Sequence, residues 1–494
     1  MRFPELTADE AAEYIKNDFV VGIGGFSSVG TPKAVPSALA RKAENEHNNG
    51  RQFRVGIITG GSTGDPIDGA LARAHAVKFR TPFQSHKDMR AAINSQETQY
   101  FDLNLSHVAQ DLRYGFLGHM DVCIIEAAEI TDNGELIPTS SVGISPTLVK
   151  SADKIIIELN ERHPQSVRGM HDIYEPLTPP YRREIPVYHP GDRIGTEHIS
   201  IDPKKVLGVV RTNLQDNIAA FTEPNAITTK IGQNVAEFLI NELRRGLIPK
   251  EFLPLQSGVG NIANAVLGSL GECPDIPPFT MFTEVIQNSV IPLMQSGRIS
   301  FASGSSLTLS DDMLDKVYAD FDFFKSRLML RPQEITNHPE LVRRLGIIAI
   351  NTALEVDIFG NVNSTNVSGQ KMMNGIGGSA DFARNAYLSI FTCPSVAKGG
   401  VISAIVPMAS HVDSNEHSVR VIATEYGVAD LRAKSPLQKA RTIIEKCVHP
   451  DYKQLLWDYL KISEGKCHTP ISLSKAFAMH LALAETGDMR NAKF

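Results

Sequence analysis

Short apolar, β-branched runs alternate with helix-like segments along the chain. Phe19-Val20-Val21-Gly22-Ile23 reads as a strand and is followed by the turn Gly24-Gly25-Phe26-Ser27-Ser28-Val29-Gly30. The next segment predicts a helix, with Thr31 as its cap, Pro32 in its first turn and Ala34, Ala38, Leu39, Ala40 and Ala43 along it. Further strands are predicted at Val55-Gly56-Ile57-Ile58-Thr59, Val122-Cys123-Ile124-Ile125 and Lys154-Ile155-Ile156-Ile157-Glu158-Leu159. Runs that are apolar on both faces and separated by helices predict parallel sheets buried in an α/β protein. From about Gln438 onward the pattern predicts helix, and the Pro-rich stretch Glu175–Arg183 predicts an irregular surface excursion.

The pattern recurs once. Glycine turns before a helix occur at Gly22–Gly25 and again at Gly258–Gly260. Ile57–Ser62 is answered by Thr280–Glu284, Val77–Pro82 by Ile299–Gly304, and Gly134–Gly143 by Gly360–Gly369 with the same glycine spacing. The four offsets lie between 222 and 236 residues, and four matches in order predict two homologous α/β halves. The join is placed near residues 213–225, dividing the chain into domains 1–218 and 219–494.

At 494 residues the chain exceeds one ordinary core, so more than one domain is expected. Apolar residues make up 42% and charged residues 21%, as in a soluble globular protein. The net charge of −6 comes with no Lys/Arg block, which argues against a nucleic-acid partner. The first residues are polar and acidic, without the apolar core of a signal peptide, and no run approaches the ~18 apolar residues of a membrane helix. The five cysteines are scattered and never in CxxC spacing, so a reducing cytoplasm is expected and a disulfide framework or zinc cage is not.

Against this background Glu284 stands out. It is the single carboxylate in the strand-like run Pro278-Phe279-Thr280-Met281-Phe282-Thr283-Glu284-Val285-Ile286-Gln287. A carboxylate in apolar surroundings is costly without partners, and such groups collect at catalytic sites. The alternative is a charged strand end pointing to water. The repeat favours the first reading, because the first half presents Gly60-Gly61-Ser62 at the corresponding strand end, and ligands bind at the carboxyl ends of parallel strands.

Upstream, Gly258-Val259-Gly260-Asn261-Ile262 lies between a strand and a helix, where backbone N–H groups either meet an anion or merely terminate the strand. Met372-Met373-Asn374-Gly375-Ile376-Gly377-Gly378 is a denser glycine cluster that permits close approach of backbone to a ligand. Lys398 gains interest only in the company of these loops, as a point charge for a phosphate. His411-Val412-Asp413-Ser414-Asn415-Glu416-His417 matches no standard metal spacing, and a hydrogen-bonding role is expected there. GxxxxGK[ST] and HExxH do not occur, which removes the usual signatures of ATP-driven and zinc-proteolytic chemistry.

Together these residues resemble the acetyl-CoA hydrolase/transferase family of class I coenzyme A transferases. The similarity runs from about Thr7 to the C-terminus through five blocks: Leu255–Asn261, Thr283–Gln287, Leu330–Asn337, Met372–Gly378 and Ala423–Gly427. The resemblance implies two homologous open α/β domains of CoA-transferase type, with mainly parallel sheets and the active site in the interdomain cleft, and a homodimer. It implies that Glu284 is the nucleophile, Asn337 an active-site amide, and the N–H groups of Val259 and Gly378 oxyanion donors. Gly258, Val259, Gly260, Asn261, Ile262, Asn374, Gly378 and Lys398 are implied as CoA contacts, and Ser62, Ser85 and Glu425 as the carboxylate site. No metal and no permanent cofactor is expected, CoA being a substrate. Two departures are present: the segment after Arg211-Thr212-Asn213 lacks an arginine carried by some acetate-using members, and Ala380 replaces a frequent glycine.

The implied reaction moves CoA between a short-chain acyl-CoA (succinyl-, acetyl- or propionyl-CoA) and a free carboxylate (acetate, propionate or succinate). It proceeds by ping-pong kinetics through a γ-glutamyl-CoA thioester. Hydrolysis of acetyl-CoA is the second expectation, and a non-catalytic acyl-CoA sensor the third.

Overall fold

The computed structural model describes residues 3–216, 218 and 223–494. Part of the join expected at 213–225, namely positions 217 and 219–222, lies outside the described residues. The chain forms two compact units. One consists of Met1–Ala220, Thr280–Leu345 and Asn374–Asp381, the other of Phe221–Phe279, Gly346–Met373 and Phe382–Phe494.

In the first unit, seven strands form one sheet in the order Val206–Thr212, Lys154–Asn160, Val122–Ala127, Val20–Ile23, Val55–Thr59, Val77–Thr81, Gln99–Tyr100. Every pairing in it is parallel. The both-face apolar runs explain this, since Val21, Ile23, Val55, Ile57, Ile124 and Ile156 are all buried against helices. The helix Ala34–Asn48 contributes Val35, Ala38, Leu39 and Ala43 to that core.

This helix starts later than the sequence suggests. Its N-cap is Lys33, with no side-chain cap bond of its own, so Thr31 does not cap it. The free N–H groups of Lys33, Ala34 and Val35 are instead taken by the carboxylate of Glu158, at 2.8–3.3 Å. An anion at a helix N-terminus satisfies both the orphan donors and the helix dipole. Beside it the ammonium of Lys33 lies 2.5 Å from Glu126 and 2.9 Å from Asp216, all three side chains being buried. The strand Phe279–Phe282, which belongs to this unit from Thr280 onward, lies side by side with Ile299–Gly304 and Leu328–Leu330.

The second unit carries Leu255–Ser257, Ile348–Thr352, Leu388–Thr392 and Val421–Thr424 as successive parallel neighbours, followed by an antiparallel strand Gly427–Asp430. The pairing repeats that of the first half. There Val20–Ile23 pairs with Val122–Ala127, which pairs with Lys154–Asn160, which pairs with Val206–Thr212. The recurrence read from glycine spacing is thus also a recurrence of strand order. The last part of the chain folds as the helices Pro436–Cys447, Pro450–Ser463 and Ala478–Thr486. The stretch 175–183 contains no helix or strand, and Tyr181 and Leu177 in it are exposed.

Candidate active site

The strand Phe279–Phe282 ends just before Glu284, and the short strand Val285–Gln287 follows. Here the backbone is pinned from the neighbouring segment. Thr283 N donates to Ser303 O at 2.9 Å, and the Glu284 carbonyl accepts from Ser305 N at 2.7 Å and Ser306 N at 3.1 Å. A side chain leaving this strand end is therefore aimed by fixed backbone on both sides.

The Glu284 carboxylate meets the amide of Asn337, whose Nδ2 donates to Oε1. Asn337 closes the helix Gln333–Thr336, where its backbone N–H donates to Gln333 O at 2.9 Å, and it is fully buried. Its Oδ1 accepts from Thr336 Oγ1 at 2.9 Å, and its Nδ2 also lies 3.4 Å from Asp381 Oδ2. Asp381 in turn accepts from Ser106 twice, from the backbone N–H at 2.9 Å and the hydroxyl at 2.6 Å. The result is a line of groups: Glu284, Asn337, Asp381, Ser106.

Enclosure of the Glu284 carboxyl by protein is the largest influence on its charge and pushes its pKa up to about 7. The Asn337 hydrogen bond opposes the rise and the Asp381 charge adds to it. Glu284 retains part of its surface in solvent. Burial likewise raises Asp381, to about 6, against the hydrogen bonds from Ser106 and Asn337. Two carboxyls of raised proton affinity thus flank one amide.

The glycine cluster runs beside them. Asn374 O accepts from Tyr100 OH at 2.5 Å, Ile376 N donates to Asp102 Oδ2 at 2.8 Å, and Leu105 N donates to Gly377 O at 3.3 Å. Gly377 has φ +59°, a conformation costly for other residues. At Gly378 the constraint is space, because an added Cβ would fall on Glu284 Oε1 and against Asn337 Nδ2.

In the second unit, Leu255–Ser257 leads into the helix Asn261–Glu272 through Gly258-Val259-Gly260. Gly258 N donates to Ile350 O at 2.9 Å, holding the turn, and Gly260 has φ +99°. Val259 is 57% exposed and Ile262 is buried. This is a 12-residue helix whose N-terminus follows an open glycine turn, a geometry suited to an anion. Lys398 is exposed. Glu425 holds a different kind of contact: its carboxylate accepts from Ser395 N at 2.9 Å and Ser395 Oγ at 2.5 Å.

The structure therefore brings Glu284, Asn337 and Gly378 together and places Asn374 in the same loop as Gly378. Ser62, half-buried, and Ser85, exposed, lie in the first unit, while Glu425, Lys398 and the loop Gly258–Ile262 lie in the second. His411 Nε2 lies 3.1 Å from Asp413 Oδ1, which accepts from Thr365 Oγ1 at 3.0 Å, a hydrogen-bonding arrangement. Ser106, Thr336 and Asp381 are site members that the sequence reading missed. Asp381 stands three residues after Gly378, which is the only local hint.

Residues 2–211 match the acetyl-CoA hydrolase/transferase N-terminal domain and residues 314–460 match the C-terminal domain of the same family. The chain is 49% identical over 488 residues to the propanoyl-CoA:succinate CoA transferase of Escherichia coli, covering 99% of each. It is 48% identical to the succinyl-CoA:acetate CoA-transferase of Clostridium kluyveri, covering 98% of this chain and 90% of that one. With the acetyl-CoA hydrolase of Schizosaccharomyces pombe it shares 43% identity, covering 97% and 94%. Among solved structures, RipA from Yersinia pestis matches with a TM-score of 0.71 at 20% identity, covering 93% of this chain and 97% of that one. A 4-hydroxybutyrate CoA-transferase from Porphyromonas gingivalis matches with a TM-score of 0.63 at 20% identity and the same coverage. At that identity the structures speak for the fold, whereas the two matched domains and the full-length relatives place the chain in the acetyl-CoA hydrolase/transferase family.

Proposed function

We infer that this protein is a CoA-transferase that moves CoA between a short-chain acyl-CoA and a free carboxylate, with Glu284 as the nucleophile. The observation that carries the nucleophile is the Glu284 carboxylate at a strand end, held by Asn337 and occupying the space that a side chain at position 378 would take. Two relatives are named for propanoyl-CoA with succinate and for succinyl-CoA with acetate, and with both transfers reversible the substrates of this reading are succinyl-, acetyl- or propionyl-CoA with acetate, propionate or succinate.

Ionised Glu284 attacks the thioester carbonyl and expels CoA thiolate, leaving an acyl-glutamyl anhydride. The thiolate then attacks the glutamyl carbonyl, releasing the acyl group as its carboxylate and forming a γ-glutamyl-CoA thioester. An incoming carboxylate runs the two steps in reverse, so the kinetics are ping-pong. A raised proton affinity serves this chemistry, because a more basic carboxylate is a better nucleophile while half or more of it stays ionised at pH 7 and above. Each tetrahedral intermediate carries an oxyanion, for which the N–H groups of Val259 and Gly378 are the assigned donors by family resemblance. The same resemblance assigns Gly258–Ile262, Asn374 and Lys398 to CoA and Ser62, Ser85 and Glu425 to the carboxylate. The division into halves 1–218 and 219–494, a homodimer and a cytoplasmic location complete the reading. Among the described residues no helix is long and apolar enough to cross a membrane.

Hydrolysis is the second reading, favoured by the 43% identical relative named acetyl-CoA hydrolase. Acid release from acyl-CoA, measured with and without added acetate, propionate or succinate, separates the two. Transfer predicts that a new acyl-CoA forms and that release depends on the acceptor. Acceptor-independent release supports hydrolysis.

A further inference from the structure

Resting on Glu284 as the nucleophile, we propose that Asp381 is a positioning residue for the reaction. Its carboxylate, clamped by Ser106, takes one proton of the Asn337 amide and so aims the other at Glu284. Asn337 Nδ2 carries two protons, and its Oδ1 is occupied by the Thr336 hydroxyl at 2.9 Å. Both groups on the nitrogen side, Glu284 and Asp381, are acceptors when ionised. The amide therefore has one satisfactory orientation, with nitrogen toward both carboxylates.

Asp381 is itself not free to turn. Ser106 donates to one oxygen from its backbone and to the other from its hydroxyl, and both residues are 5% exposed. These bonds tie Asp381 to a residue 275 positions earlier in the chain. Asp381 also lies in the first turn of the helix Ser379–Asn385, directly after Gly378. The clamp thereby holds in one place both the amide that orients Glu284 and the glycine that leaves room for it.

The charge of Asp381 has a second consequence. It disfavours a second negative charge on Glu284, and Glu284 loses its charge on forming the anhydride and the glutamyl thioester. Asp381 thus destabilises the resting carboxylate relative to the acylated forms. His107, on the helix Leu105–Arg113, is a further titratable side chain facing Asp381.

The test uses the full-length enzyme and reads the rate at which acyl-CoA, without acceptor, loads CoA onto the protein, as a function of pH. Peptide mapping of the wild-type adduct comes first, because an adduct elsewhere than Glu284 overturns the underlying reading and not this one alone. Given loading at Glu284, Asp381→Asn is expected to load at the same residue at least about tenfold more slowly. Its acidic limb is expected to shift to higher pH, since the Asn337 hydrogen bond that Asp381 aims at Glu284 outweighs the opposing charge of Asp381. A variant that slows without moving the limb marks a merely structural role and overturns the proposal, as does an unchanged rate. Ser106→Ala keeps the carboxylate and serves if Asp381→Asn does not fold. It is expected to load several-fold more slowly with acyl-CoA affinity retained, and an unchanged rate overturns the proposal.

Discussion

Gly378 stands so close to the carboxylate of Glu284 that a Cβ at position 378 would coincide with Oε1. Backbone and carboxylate can share this space only when position 378 has no side chain. Gly378→Ala is therefore expected to displace the Glu284 carboxylate while leaving the fold intact. Turnover should fall by about 10²-fold or more, as when a preorganised site is displaced by an ångström. Steady-state rates, read beside acyl-CoA affinity and the thermal transition, check this. Near-normal turnover would show that the carboxylate is not confined as described.

Asn337 supplies the hydrogen bond that stabilises the charged form of Glu284. Asn337→Ala is expected to raise the Glu284 pKa further, moving the acidic limb of the pH–rate profile upward from about 7. The same direction is expected for Asp381→Asn, which leaves that amide without its positioning partner. The rate on the plateau should fall by about 10- to 10³-fold through loss of orientation and of the donor. A pH series on both variants provides the comparison, and shifts of opposite sign would contradict the arrangement.

How far all this can be read from sequence differs from residue to residue. The strands Val55–Thr59 and Lys154–Asn160 are legible because both faces are apolar, and Glu284 because one carboxylate interrupts such a run. The start of the helix Ala34–Asn48 is not legible, because its cap is Glu158, more than a hundred residues away. Ser106 and Asp381 are silent for the same reason: each looks ordinary among its own neighbours, and their meaning lies in a contact across 275 positions. The packing of Asn374–Asp381 with the first unit is set by contacts to Tyr100, Asp102 and Ser106, which no local periodicity encodes. Local pattern encodes elements and isolated chemistry, whereas positioning partners are encoded by the topology.

The raised Glu284 pKa also has a stability consequence. The folded value of about 7 exceeds the ordinary glutamate value of 4.5, so protonated Glu284 favours the folded state. That contribution is complete below about pH 4.5 and is lost as pH rises through about 7. Glu284→Gln should therefore match the wild type in thermal stability near pH 4.5 and exceed it at pH 8. The gain at pH 8 is on the order of 2–3 kcal/mol, reduced to the extent that solvent reaches the carboxyl. Thermal unfolding at the two pH values tests the sign. A variant less stable than wild type at pH 8 would contradict the charge burial.

Lys33 offers a contrast away from the reacting groups. Its ammonium neutralises Glu126 and Asp216 in the interior, and Lys33→Met would leave both carboxylates buried without it. A loss of roughly 3–5 kcal/mol is expected. Burial already holds Glu126 up at about 7 even with Lys33 present, so the loss should shrink as pH falls and Glu126 protonates. Thermal melts from pH 5 to 8 measure this, and a loss independent of pH would point to packing rather than charge.

The central claim is that Glu284 carries the transferred CoA. Its most direct test is the mass of the intact protein after brief incubation with succinyl-CoA or acetyl-CoA and no acceptor, followed by peptide mapping. The account predicts an addition of CoA less one water on the peptide containing Glu284, sensitive to hydroxylamine, discharged by a carboxylate and absent from Glu284→Ala. Turnover by Glu284→Ala, or an adduct on a different residue, would contradict it.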